Sequence, residues 1–476
     1  MNIPITAILV GAGRRGFHIY GNYAMKNQKK IAFVAVAEPI KKRRENFAKL
    51  HGIPFDRCFE SWEDLLSKEK LADVAFICTQ DQMHTEPTLL ALEKGYHVLL
   101  EKPMANTLED CIKIVKKAEE TGRILGVSHV LRYADFFFTI FNIIMSKLLG
   151  DIINISQREN VSWYHMAHSY VRGPWANVAK SSPIILTKAC HDLDLLYWMV
   201  GSLPKKISSF GSLLHFKSEN APKGAPKYCL DGCPIKNICN YYAPRIYIDI
   251  IPIVQIMQKG KSRLYKFIGN LRKDHIRLLT LLAKIIPPFR KLRYWSEWPV
   301  NYLYTNQDEN YSDEAKIKIL KTSPYGRCVY YCNNDVIDHQ VVNIEFKNGT
   351  TANFTMHGFS EKEGRTIRID GTKATLIGEF HDAYKKLTVY NHYTGEKKVM
   401  LNQKLSLRTV EHGGGDPKLI DAFLESIMDP KIEQPLTNAR ECLESHLMAF
   451  AANESRIKGT VIDMDDYRKK SERFFK

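Results

Sequence analysis

The first sixteen residues already restrict the fold. Ile5 to Val10 is a short apolar run, and Gly11-Ala12-Gly13-Arg14-Arg15-Gly16 follows it directly, ahead of a segment able to form a helix. In a strand, turn and helix joined this tightly, the first glycine permits the turn and the second lets a phosphate approach the backbone. The third lets the helix pack on the strand, and the helix start adds N–H donors that favour an anion. A glycine pattern alone is weak, so its surroundings decide. A second apolar run, Ile31 to Ala37, ends at Glu38, placed to accept from a ribose diol and to repel a 2'-phosphate. Together these predict dinucleotide binding at Gly11, Gly13, Arg14, Arg15, Gly16 and Glu38, with NAD favoured over NADP.

The alternation continues with strands at Asp73 to Cys78, before Glu101, and at Ile124 to His129, separated by helices near His84 to Lys94 and Leu108 to Thr121. Strands and helices alternating at this length predict an α/β domain with a doubly wound parallel sheet over residues 1–130. Such sheets present their chemistry at the carboxyl ends of the strands. That edge receives the loop from Thr79 to His84 and the sequence Glu101-Lys102-Pro103, in which Pro103 limits the conformations open to Lys102. Thr79, His84, Glu101 and Lys102 therefore join the cofactor set, and Lys102 is also placed to reach a substrate.

From Asp151 the pattern changes to strands without regular crossover helices, at Ile152 to Glu159, Val341 to Phe346, Thr350 to Met356, Thr366 to Asp370 and Lys386 to Tyr390. This predicts a second, α+β domain over residues 131–476 with a predominantly antiparallel sheet. Asn348-Gly349 reads as a hairpin turn within it. Phe136 to Leu149 is apolar at helical spacing and is expected to pack between the domains.

Two stretches of this second part carry candidate chemistry. Read as one helix, Thr187 to Val200 puts Thr187, Lys188, His191 and Asp194 on one side and Leu193, Leu196, Tyr197 and Val200 on the other. The apolar side would dock and leave His191 facing outward, able to take a hydroxyl proton, with Asp194 orienting the ring. The second stretch, Asn160 to Trp175, holds His165, His168, Arg172, Trp163 and Trp175. Aromatic faces beside polar forks suit a polyol. Lys188, Asp194, His165, His168, Arg172 and Trp175 are accordingly read as substrate-binding.

The ten cysteines and the net charge of +16 need placing before they mean anything. No run of about eighteen apolar residues occurs and the amino terminus lacks the pattern of a secretion signal, so a cytoplasmic protein with reduced thiols and no transmembrane segment is expected. Cys229, Cys233 and Cys239 fall within eleven residues, with Cys328 or Cys332 available as a fourth ligand. Their spacing fits no common zinc pattern, which leaves a bound metal and plain thiols both open. Between Lys259 and Arg293 eleven basic residues face one acidic residue, Asp274, in a basic insertion at about 254–293. With the charge so confined, nucleic acid is not an expected partner.

The glycine turn, Glu38, Glu101-Lys102-Pro103 and the segment containing His191, in this order and ahead of a sheet domain, resemble the glucose-fructose oxidoreductase and inositol dehydrogenase family (Gfo/Idh/MocA). The resemblance implies a Rossmann domain, an α+β domain whose open sheet face serves homo-oligomerisation, and NAD(P)-dependent hydride transfer to or from a sugar, cyclitol or related polyol. It maps the family's lysine onto Lys102 and its histidine onto His191, as catalytic residues. Family dehydrogenases commonly have an aspartate four residues before that histidine, where this chain has Thr187. The departure keeps open a glycosidase or lyase working by transient oxidation and elimination. A nicotinamide-binding regulator without catalysis is the alternative from another class.

Overall fold

A computed structural model describes residues 3–473 apart from 260–262, 305–310, 382–383, 405–410, 430 and 433. Lys261 of the basic insertion lies outside the described residues. The first sheet has six parallel strands: β1 (Ile5–Val10), β2 (Ile31–Ala37), β3 (Cys58–Phe59), β4 (Val74–Ile77), β5 (His97–Leu100) and β6 (Leu125–Val127). Their order is β3-β2-β1-β4-β5-β6, with the reversal between β1 and β4. In such a sheet the crevice at the reversal is the binding position. Strands β4 and β5 are apolar almost throughout because helices cover both faces.

The second sheet has nine strands: β7 (Ile152–Ser162), β8 (Pro204–Ser212), β9 (His339–Phe346), β10 (Thr351–Ser360), β11 (Gly364–Gly371), β12 (Ala374–His381), β13 (Tyr384–Asn391), β14 (Lys397–Lys404) and β15 (Ile462–Asp463). The order is β14-β13-β12-β11-β7-β10-β9-β8-β15, antiparallel except where β10 runs parallel to β7. The β9–β10 turn is the expected hairpin, with Gly349 at φ +86°. One face is buried through Ala352, Phe354 and Met356 of β10 and Ile367 and Ile369 of β11. The outer face mixes polar groups with exposed Phe210, Ile377 and Val399.

The helix Asp135–Met145 buries Phe136, Phe137 and Ile140, meeting Phe380 of β12, while its Phe141 stacks on Trp198 at 4.2 Å. The basic insertion folds as four short helices, Ile251–Lys259, Arg263–Asp274, Ile276–Ile285 and Pro287–Arg293. The strands divide near residue 130, but the packing does not. Leu419, Ile420, Phe423 and Leu424 of the helix Gly415–Met428 share a core with Phe33, Phe76 and Leu99 of the parallel sheet.

Candidate active site

The glycine turn leaves β1 with no room to spare at two of its positions. A side chain at Gly11, whose φ is +95°, would come within 2.6 Å of the Cys78 carbonyl, and one at Gly16 within 2.2 Å of the Gly11 carbonyl. Gly13 differs, because nothing lies within 4 Å of the position its side chain would take. The backbone is therefore open where a pyrophosphate approaches. The chain then turns helical from Arg14, with wide π-type turns to Gly21. Glu38, at the end of β2, is buried and accepts from the N–H of Ala12 at 2.8 Å and of Ile40 at 3.0 Å. This fixes its carboxylate beside the turn. An open backbone cradle with a fixed carboxylate one strand away fits the pyrophosphate and ribose of a dinucleotide.

The other cofactor residues meet at the same edge. Arg15 donates through Nε to Glu101 Oε1 (2.6 Å) and through Nη2 to Asp416 Oδ1 (2.7 Å), and the Tyr20 hydroxyl also donates to Glu101. One guanidinium thus ties the glycine turn, the end of β5 and the helix at Gly415. Burial would raise the Asp416 carboxyl, but His412 and Arg15 outweigh it and hold it well below the usual carboxylate range. His84 is buried, its Nδ1 2.7 Å from the Pro103 carbonyl, and Thr79 Oγ1 donates to the Met83 carbonyl at 2.9 Å. These contacts fix the loop after β4 against Lys102-Pro103. Arg14 is exposed at the helix start.

Lys102 and His191 come together across the two domains. Lys102 Nζ donates to the Thr187 carbonyl at 2.7 Å. That carbonyl would otherwise accept from the N–H of residue 191 in a continuous helix. Two elements replace the expected single one, Ile184–Thr187 and Cys190–Val200. The break also corrects the expectation that His191 faces outward, since it is only 5% exposed. Among the described residues neither imidazole nitrogen has a hydrogen-bond partner. Burial, followed by Lys102, His129 and His412, lowers the His191 pKa well below its usual value, so the ring is neutral and both nitrogens are available. The His412 ring, at φ +52° in the loop before Gly415, lies 5.9 Å away between centroids. The loop is linked to the site by the Arg15–Asp416 pair.

The three residues expected on the His191 side of one helix, Asp194 as its ring partner among them, make their contacts elsewhere. Thr187 Oγ1 contacts the Ser182 carbonyl at 3.4 Å instead of the imidazole. Asp194 accepts from Arg132 Nε and Nη2 at 2.8 and 2.7 Å, so it anchors the helix and leaves the ring alone. Lys188 turns to Glu159 (3.1 Å) and Glu363 (3.2 Å). Glu363 is only part-buried; desolvation would raise its pKa, yet His165, at 2.9 Å, and Lys188 hold it well below the carboxylate range. Arg365 joins Glu159 to Asp192, completing a buried charged wall. Lys188 and His165 thus meet on one carboxylate.

The remaining substrate candidates point into protein. His168 packs flat on Tyr325 (5.0 Å) with Nδ1 3.0 Å from the Tyr247 hydroxyl. Arg172 donates to the carbonyls of Arg327 and Tyr241. Trp175 is half-buried against Tyr170 and the main core. Glu159, Glu363, Arg365 and Asp192 were not anticipated. Glu159 alone left a trace, as a charge at an inward position of β7 in line with Ile155 and Gln157.

A glycine cradle and a lysine–histidine pair at the carboxyl edge of a parallel sheet, roofed by a second sheet domain, define a dinucleotide-binding oxidoreductase architecture. The chain belongs to the Gfo/Idh/MocA oxidoreductase family. Its model for the NAD-binding Rossmann fold matches residues 5–129, and its model for the C-terminal alpha/beta domain matches residues 299–464. Putative oxidoreductase YteT of Bacillus subtilis is 21% identical over 392 residues, covering 80% of this chain and 78% of YteT. The 2,7-anhydro-N-acetylneuraminate hydratase of Escherichia coli is 26% identical over 151 residues, 32% of this chain and 40% of that protein. The crystal structure of aldose-aldose oxidoreductase from Caulobacter crescentus, complexed with glycerol, superposes with a TM-score of 0.61 at 13% identity, over 97% of this chain and 99% of that one. Among the described residues no helix is long and apolar enough to cross a membrane.

Proposed function

We propose that this chain is an NAD-dependent dehydrogenase that oxidises a secondary hydroxyl of a sugar, cyclitol or related polyol. The observation that carries the reading is the buried, neutral His191 with two unpartnered nitrogens, set beside Lys102 at the dinucleotide edge. Bound NAD supplies the hydride acceptor. Gly11, Gly13 and Gly16 admit its pyrophosphate and Glu38 its adenosine ribose, while Arg15 and Tyr20 hold Glu101 in place. His191 takes the proton of the substrate hydroxyl, and Lys102 exchanges the Thr187 carbonyl for the oxygen on which negative charge develops. Lys188 and His165, held by Glu159 and Glu363, offer donors to the remaining hydroxyls.

Among the described residues no carboxylate is hydrogen-bonded to His191, which favours a second reading. With no anion to stabilise an imidazolium, the ring suits a cycle in which the proton and hydride are both returned, as in oxidation, elimination and re-reduction. The match to a protein named as a hydratase points the same way. All ten cysteines are unpaired thiols, which fits the reducing cytoplasm. The outer face of the nine-stranded sheet, with Phe210, Ile377 and Val399 exposed, is the surface we assign to self-association.

The test is incubation with NAD or NADP and a panel of sugars, glycosides, inositols and uronic acids, following reduced-cofactor absorbance and product chromatography together. Reduced cofactor with a keto product is expected for the dehydrogenase, whereas product without reduced cofactor establishes the redox-neutral cycle. Lys102→Ala should keep NAD binding within a few-fold and lose about 10²–10³ in kcat/KM. Undiminished turnover in that variant would remove Lys102 from the chemistry. Silence across the panel despite NAD binding would leave the regulator.

A further inference from the structure

Four cysteines that the oxidoreductase site does not use converge on one small cavity. Cys229, Cys233 and Cys239 come from one loop and Cys328 from another segment nearly a hundred residues on, and all four are free thiols lining the same space. A short antiparallel bridge brings the segments together. The Cys229 N–H donates to the Gly326 carbonyl and the Cys328 N–H to the Lys227 carbonyl, each at 2.9 Å, with Tyr228 paired to Arg327. Gly232, at φ +80°, lets the loop reverse between Cys229 and Cys233, and the Cys239 N–H closes back on the Ile235 carbonyl at 2.9 Å. The rest of the lining is prolines, aliphatics and tyrosines, with no carboxylate or imidazole. The enclosed space between these walls is about 10 Å³, enough to seat the centre of a water-sized sphere.

A separate observation gives the charge of the missing occupant. Arg172 is 4% exposed, and its Nη2 lies 3.6 Å from Cys229 Sγ. Beyond that it meets carbonyl oxygens and the neutral Tyr247 side chain, and no carboxylate pairs with it among the described residues. A buried guanidinium without a counter-ion is costly. Four thiolates around a metal centre carry net negative charge and supply that counter-ion.

Spacing selects the kind of centre. Tetrahedral zinc with Zn–S bonds near 2.3 Å holds its sulfurs roughly 3.8 Å apart. Among the described residues, the only trio of His, Cys, Asp or Glu donor atoms within 4.8 Å of one another is His129, Asp194 and Cys442, so no three of these four sulfurs approach that closely. In that other trio both Asp194 oxygens already accept from Arg132. The cysteine sulfurs stand wider apart than a single ion needs, and soft ligands alone close the site.

We propose that Cys229, Cys233, Cys239 and Cys328 ligate an iron–sulfur cluster that staples these two segments together. Cluster ligation by four cysteine thiolates is the commonest arrangement for such centres. Its role is structural. Through Arg172 it fixes the segment 163–172, which also carries His165 on the substrate side of Glu363. No electron transfer is required of it.

The test uses the full chain, expressed with iron, purified without oxygen and, in parallel, reconstituted with ferrous iron and sulfide. Iron, zinc and acid-labile sulfide are measured per chain, together with visible absorbance. The expected result is iron and sulfide in equal amounts, about two to four of each per chain, with a broad band near about 400 nm. Cys233→Ser and Cys328→Ser should lose it, while Cys332→Ser, outside the cavity lining, and Cys58→Ser keep it. About one zinc per chain without sulfide would overturn the cluster. Neither metal in the wild-type chain after both preparations would overturn the site, whether or not the serine variants fold.

Discussion

Mild acid should destabilise this protein well before its carboxylates begin to protonate, because several histidines are buried in a neutral form. Burial first, then neighbouring charges, lowers the pKa of His129 to about 3 and those of His168 and His191 well below the usual value. His446 is also lowered, and its Nε2 accepts from the Met104 N–H, a bond its protonated form cannot make. In the unfolded chain each titrates near about 6.5. Above that pH neither state binds the proton and the groups contribute nothing. Below it the unfolded state binds protons that the native state refuses, so stability falls as pH falls from about 6.5 toward the native pKa values. At pH 5.5 each fully shifted histidine costs about 1.4 kcal/mol. His129, His168 and His191 with a part share from His446 give about 4–5 kcal/mol, a large fraction of an ordinary folding free energy, to which the part-buried His51, His97, His215 and His357 add smaller shares. Glu159 and Asp249, pushed upward by burial, take up protons in the native state and oppose part of this. With about 2.1 cal/mol/K of unfolding entropy per residue, a chain of 476 residues loses about 1 °C of Tm per kcal/mol, so the net loss lowers Tm by up to about 4–5 °C. Differential scanning fluorimetry between pH 7.5 and 5.5 measures it. His168→Gln, away from Lys102 and His191, should flatten the slope by about a quarter. A Tm level across this range, or a slope unchanged in that variant, would refute the reasoning.

Two further outcomes follow from the site and the sheet. In the oxidative direction, the acid limb of kcat/KM should lie well below pH 6.5, because His191 stays neutral there; a limb at or above 6.5 would show that another group takes the proton. Light scattering should give more than one chain per particle, and Phe210→Glu with Ile377→Glu on the outer sheet face should shift it toward the monomer, whereas a wild-type monomer at micromolar concentration would end that assignment.

Local signals made much of the framework legible. The parallel strands stood out because both faces are covered, leaving β4 and β5 apolar without alternation. Glu38 and Lys102 were readable because they sit directly after such runs. The residues around His191 were misread because helical periodicity assigns a polar row to solvent, while here that row is roofed by the other domain. Asp194 satisfies Arg132, sixty-two residues away, and Lys188 satisfies Glu363, one hundred and seventy-five away. No spacing rule reports such pairs. Of the residues chosen for a polyol, His168 packs against Tyr325 and Tyr247 and Arg172 reaches Cys229, because aromatic and basic residues serve packing and binding equally well at the level of composition.

The shared core of the parallel sheet and the helix Gly415–Met428 bears on how the protein is made. Phe76 and Leu99 leave the ribosome more than three hundred residues before Leu419 and Phe423, the side chains that cover them. Until the helix Gly415–Met428 emerges, the parallel sheet carries an uncapped apolar patch on the face that helix covers. The same helix brings Asp416 to Arg15, so the cofactor edge takes its final form only after a segment made more than three hundred residues later has folded back.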